Sequence, residues 1–200
     1  MRSLLTTIFT LLLLFGCQES SNITDPLESP NLQTFNKDPE AGYELFALPP
    51  KAPEWQDSIF TVSKEIDGDI GGFIYLDKYY IAANGDKIDI EARLTIPTFA
   101  FQGTKTITIT VDDDYAALQC SPSMTFTKNL KLYTYFSGLD LNGVRTKNLD
   151  FVYIADDGSI ETLKKKGVKI FPKWGILQVN SVEIPHFSRF GWIRKQASGI

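Results

Sequence analysis

Between residues 87 and 96 the chain reads KIDIEARLTI, with an apolar residue at every second position. Ile88, Ile90, Ala92, Leu94 and Ile96 share one face, and Asp89, Glu91, Arg93 and Thr95 share the other. Successive side chains of a strand point to opposite sides of its sheet, so a period of two marks a strand with one buried face, whereas a surface helix repeats every 3.6 residues. KTITITV, at 105–111, repeats the pattern with Ile107, Ile109 and Val111 set against threonines. Register is strongly specified in such strands, because a one-residue slip would turn the whole apolar set to water. Further strands are expected in IFTVSKEI, GGFIYL, YAALQC, MTFTKNLKLYTYF, LDFVYIAD, IETLKK, VKIFP, ILQVNSVEI and FSRFGWI. Asn84-Gly85, Asp157-Gly158 and Trp174-Gly175 supply turns between runs. No long stretch after residue 57 carries helical periodicity. Many short strands at this spacing predict an all-β fold, an antiparallel β-sandwich over 58–196.

Upstream the texture differs. Residues 18–57 hold six of the ten prolines and show no sustained period. Proline fixes φ and removes a backbone donor, so 17–57 is expected to be an extended tether. Its apolar patch YELFALPP, at 43–50, is expected to make the first contact with the domain.

The chain opens MRSLLTTIFTLLLLFGCQES. Arg2 precedes a run, 3–15, that is apolar apart from Ser3 and three threonines. This is short for a bilayer span and has the proportions of a secretory signal peptide. The run ends in Leu14-Phe15-Gly16-Cys17 and resembles the bacterial lipobox. That resemblance implies that 1–16 are removed and that Cys17 becomes a lipidated (palmitate-type) first residue. It also implies export and a lasting hold on membrane lipid, outer membrane if the host is diderm because Gln18 follows the cysteine, facing periplasm or cell surface. Several acyl chains matter here, since each buried CH2 adds only about 0.8 kcal/mol and a single chain binds marginally. The competing reading is an uncleaved anchor helix.

The net charge of −4 and pI near 5.1 argue against nucleic acid as a partner. Besides Cys17 the only cysteine is Cys120. No intramolecular disulfide remains once Cys17 carries lipid, and the strand-like surroundings of Cys120 predict a buried small hydrophobe.

Gly71-Gly72 opening GGFIYL, Ile96-Pro97 and Ala100 in LTIPTFAFQGTKTITITV, Ser121-Pro122 in LQCSPSMTFTKNLKLYTYF, and the closing IPHFSRF together resemble the ZU-type domain of ankyrins and netrin receptors, over about residues 64 to 193. The resemblance implies a ZU-like β-sandwich that binds a protein or glycan of the envelope, or acts as a spacer, without substrate chemistry.

Several residues are candidates for chemistry. His186, the only histidine, stands near Ser188 in IPHFSRF. Some animal relatives of the ZU-type family cleave themselves at His-Phe-Ser, the serine attacking the preceding carbonyl while the histidine moves protons. The resemblance thus raises self-processing between Phe187 and Ser188. Against it, a continuous strand would put Ile184, His186, Ser188, Phe190 and Trp192 on one inward face, with His186 a hydrogen-bonded structural residue and Arg189 on the other side pairing with an acid or covering a sheet. Asp112, Asp113 and Asp114 could offer oxygens to Ca²⁺ in an adhesion module, but lack the spacing of an EF-hand loop and are more cheaply explained as solvated turns. Lys164, Lys165 and Lys166 either meet anionic lipid or polysaccharide or guard a sheet edge. In LKLYTYF, Leu130, Leu132, Thr134 and Phe136 alternate with Lys131, Tyr133 and Tyr135. The second set is either an exposed platform for sugar or protein or a second packing layer. No zinc spacing, phosphate loop or paired carboxylates suggest an enzyme, and no cofactor is expected.

Overall fold

A computed structural model describes residues 42–196. The leader, Cys17 and most of the expected tether lie outside the described residues. Twelve strands form two antiparallel sheets packed face to face, an all-β sandwich. They are β1 (Tyr43–Leu45), β2 (Thr61–Asp67), β3 (Gly72–Ile81), β4 (Lys87–Ile96), β5 (Thr104–Val111), β6 (Ala117–Ser121), β7 (Thr125–Ser137), β8 (Leu149–Ile154), β9 (Ile160–Thr162), β10 (Gly167–Phe171), β11 (Ile176–His186) and β12 (Arg189–Lys195). One sheet runs β2-β5-β6-β12-β8-β9, with β1 also paired to β12; the other runs β10-β11-β7-β4-β3.

The alternation that announced β4 sets its packing. All five of its apolar residues are buried in the core between the sheets. From the facing sheet come Ile107, Ile109, Leu118, Phe151, Phe190 and Trp192. Thr134 shares this core face, and its Oγ1 has no hydrogen-bond partner among the described residues. A hydroxyl buried without a partner costs stability, and valine has nearly the same shape without it. Thr134→Val is therefore expected to raise stability by about 1 kcal/mol, read as a higher urea midpoint at unchanged slope.

The domain boundary expected at residue 58 moves upstream. β1 pairs with β12 through Tyr43↔Lys195, Glu44↔Arg194 and Leu45↔Ile193. Phe46, Leu48 and Ala52 then enter the core. Backbone bonds fasten this segment at each step: Phe46 N to Trp192 O at 2.8 Å, Leu48 N to Asp114 O at 2.8 Å, and Ala52 N to Ile81 O at 2.9 Å. Tyr80, itself buried, donates its hydroxyl to Pro49 O at 2.6 Å. The apolar patch does dock, and it docks as part of the sandwich. Its two prolines suit a path with few ladder bonds to make. Tyr43 and Leu45 also cover Val152, Ile154 and Ile193 on the outer side of the sheet, which explains why β8 and β12 are apolar on both faces.

IPHFSRF is likewise not one strand. β11 ends at His186 in the five-stranded sheet, and β12 begins at Arg189 in the other. Crossing between sheets breaks the period of two. Ile184, Phe190 and Trp192 are buried as expected, but Phe187 takes the inward position at the corner, only 2% exposed, while His186 and Ser188 are half-buried. Phe187 meets Phe126 edge to face at 4.7 Å, and its N–H donates to Met124 O at 2.9 Å.

Candidate functional site

β7 is the central strand of its sheet, and its alternation resolves the two readings of LKLYTYF. Leu130, Leu132, Thr134 and Phe136 point inward, so Lys131, Tyr133 and Tyr135 lie on the outer face. At the β3 edge Trp55 packs on Tyr79 at 5.3 Å between ring centres, and among the described residues no buried hydrophobic cluster includes Tyr133 or Tyr135. Lys131 is exposed and the two tyrosines are half-buried.

Register assembles the face. Tyr133 pairs with Arg93, and Arg93 with Tyr75. One row away, Gln178, Tyr135, Glu91 and Asp77 line up; on the other side stand Glu183, Lys131, Thr95 and Phe73. Phe73, Tyr75 and Tyr79 are large and exposed. The guanidinium of Arg93 lies 4.7 Å from the Phe73 ring centre, and Lys87 Nζ lies 4.7 Å from that of Tyr79. Such cation–π contacts restrain the rings. Tyr75 donates its hydroxyl to Glu91 Oε2 at 3.1 Å. Burial first, and then the nearby Glu91 carboxylate, raise the Tyr133 phenol above its ordinary pKa. Tyr75 shifts the same way for the same two reasons. Both therefore remain neutral donors at neutral pH. The result is a platform of aromatic rings with polar tips, set among charges of both signs. It can cover an apolar ring face or side chain and hydrogen-bond at its margins.

Phe73, Tyr75, Tyr79 and Arg93 were not among the expected site residues. Their signal is present in FIYLDKYYI. Once Ile74, Leu76 and Tyr80 are taken inward, Phe73, Tyr75 and Tyr79 must face out. Strand pairing then sets them beside β7, a relation that one strand's pattern does not contain.

The aspartates at 112–114 serve the fold. Asp112 is 9% exposed; it pairs with the Arg189 guanidinium and accepts the N–H groups of Asp114 and Tyr115 at 3.0 and 2.9 Å. Burial pushes its carboxyl above the usual range even with Arg189 against it. Asp113 takes Lys51 Nζ at 2.7 Å. Two of the three carboxylates thus have cationic side chains where a metal would sit. Among the described residues no group of three or more His, Cys, Asp or Glu could hold a metal ion.

His186 and Ser188 come to the sheet-to-sheet corner with different partners. The imidazole meets Tyr153 edge to face at 4.8 Å. Ser188 O accepts the Cys120 N–H at 2.9 Å. No hydrogen bond joins His186 to Ser188 among the described residues. Arg189, expected to pair with an acid or cover a sheet, pairs with Asp112. Cys120 is buried, which pushes its thiol up to about 12 and leaves it inert as a nucleophile. Of the lysine cluster, Lys164 pairs with Glu183 at 3.3 Å and Lys165 with Asp150 at 2.6 Å, so both are tied to neighbouring strands.

No family model, no curated protein and no solved structure matches the chain. Among the described residues no helix is long and apolar enough to cross a membrane.

Proposed function

We propose that this chain is an exported, lipid-anchored protein of the cell envelope whose β-sandwich, of ZU-like character, is a binding module for an envelope protein or glycan. The observation that carries the reading is the aromatic outer face of the five-stranded sheet, where Tyr75, Tyr133, Tyr135, Phe73 and Arg93 stand together. Aromatic residues and arginine carry most of the energy in recognition surfaces, and this face concentrates both. The anchoring part of the reading rests on the leader and on Cys17.

Two experiments test it. Cells fed a labelled fatty acid should label the wild-type chain and leave Cys17→Ser unlabelled and unprocessed; label retained by the serine variant would sink the anchor. For the face, Tyr133→Ala/Tyr135→Ala should weaken binding to isolated envelope fragments in a sedimentation assay. Each such truncation typically costs about 1–2 kcal/mol, so the pair should weaken binding about 30- to 700-fold. Unchanged co-sedimentation would remove the face as the site.

A further inference from the structure

A cleft of about 730 Å³ opens at the loop end of the sandwich, between the β3–β4 turn, the loop after β7 and the β10–β11 turn, with Pro49 and Pro50 along one rim. We propose that this cleft is a saccharide site for neutral sugar rings, with Trp174 as its stacking platform. The inference goes beyond the sheet-face reading and does not depend on it.

The cleft is built rather than incidental. Gly138 and Gly175 both have left-handed backbone, at φ of +78° and +60°. A Cβ at Gly138 would lie 2.2 Å from Lys87 O, and one at Gly175 would lie 2.2 Å from Leu139 O. Only glycine permits these approaches, which press the three loops into one rigid wall. Leu139 N donates to Gly175 O at 3.1 Å across the junction. A preformed cleft of this size is in the range of small-ligand sites and spares the ligand the cost of ordering the loops.

Its lining sorts the ligand chemistry. Trp174 is 62% exposed, and Phe171 braces it at 5.5 Å between ring centres. A large flat ring held out in water at a cleft offers a surface for the apolar C–H face of a sugar ring. Around it stand short planar polar groups. Asn84 and Asp86 hold each other, with Asn84 Nδ2 donating to Asp86 Oδ2 at 2.7 Å and Asp86 N donating to Asn84 Oδ1 at 3.0 Å. Asp140 Oδ1 accepts Asn142 N at 3.0 Å. These bonds fix the side chains and leave the second oxygens of Asp86 and Asp140 and the Asn142 amide to bind hydroxyl groups. The charge favours no ion. Asp86 and Asp140 set two carboxylates against Lys173 and against Lys87, itself held by Asp89 at 2.5 Å. The formal charges of the lining cancel, so a phosphate or uronic acid gains no net attraction, whereas a neutral ring meets acceptors for its hydroxyls and a platform for its face.

The test uses the full-length chain in a zwitterionic detergent that carries no sugar headgroup. Cellotriose, maltotriose, chitotriose and the acidic trigalacturonate are titrated while tryptophan emission and binding heat are recorded. At least one neutral trisaccharide is expected to bind saturably and shift the emission to the blue. Trp174→Ala should weaken that binding about tenfold or more, the worth of one aromatic contact. Asn142→Ala should weaken it as well, and both variants should keep the wild-type unfolding midpoint because these side chains lie at the surface. Tyr133→Ala/Tyr135→Ala should bind as wild type does. The proposal is overturned if no neutral trisaccharide binds, if only trigalacturonate binds, or if Trp174→Ala binds like wild type. Loss in the tyrosine variant with retention in Trp174→Ala would place the sugar on the sheet face and equally overturn the cleft.

Discussion

A chain shortened to begin at residue 58, where the strand periodicity sets in, is expected to lose cooperative folding. The deletion takes away β1 and its ladder with β12. It also removes Phe46 and Leu48 from the core and the Tyr80 hydroxyl's acceptor at Pro49. Emptying a buried phenylalanine site and a buried leucine site costs about 5–10 kcal/mol together, against a total stability of about 5–15 kcal/mol for an ordinary domain. Val152, Ile154 and Ile193 would lose the cover of Tyr43 and Leu45. Lys51 would no longer tie Asp113 to Ser58 O, two contacts of 2.7 Å. A parallel deletion that stops before Gly42 keeps every one of these contacts and should retain most of the stability. Urea unfolding followed by circular dichroism separates the two chains. A cooperative transition at the same midpoint for the chain starting at 58 would show that the segment is a dispensable strap.

Asp112→Ala should be the most damaging single polar substitution. It leaves the Arg189 guanidinium, whose side chain is 13% exposed, without its carboxylate, and it strips the acceptor from the N–H groups of Asp114 and Tyr115. Breaking a buried ion pair from one side costs about 3–5 kcal/mol, and the residual exposure of Arg189 places this case near the lower end. Because burial raises the Asp112 carboxyl despite the arginine, desolvation outweighs the attraction, and the pair adds little net stability. Two consequences distinguish this account from a simple strong salt bridge. Asp112→Leu/Arg189→Leu should recover the part of the Asp112→Ala loss that comes from the buried guanidinium, though not the part owed to the Asp114 and Tyr115 N–H groups. Asp112→Asn, which keeps an acceptor oxygen for the two N–H groups, should lose less than alanine does. Equilibrium denaturation of the three variants decides the matter; a double variant as unstable as Asp112→Ala would refute the desolvation argument.

The sequence alone was enough for the long alternating strands, because each carries its own burial pattern. Ile88 to Ile96 and Ile107 to Val111 are buried at the alternate positions their spacing requires. β7 shows both the strength and the limit of that signal. Its period divides Leu132 from Tyr133 without naming which set meets the core. The answer came from what packs opposite: the facing sheet supplies Phe151, Phe190 and Trp192, and Tyr133 and Tyr135 belong to no buried cluster among the described residues. Two segments misled because their pattern was interrupted for a tertiary reason. In 43–52 the prolines hid a short strand and a run of single backbone bonds to several partners. In IPHFSRF the chain changes sheets, and Phe187 rather than His186 fills the corner.

What the sequence determined, then, is the local alternation: a chain of many half-buried strands with the turns between them. Periodicity is a property of neighbours along the chain, and the physics of a pleated strand reads it directly. The tertiary structure decided which strands adjoin, and so joined Tyr75, Arg93 and Tyr133 from three strands into one face. It also closed three loops around Trp174 and committed Asp112 to Arg189, 77 residues away. Those relations depend on long-range pairing and burial, where free energy is set by what each side chain meets after the sheets pack.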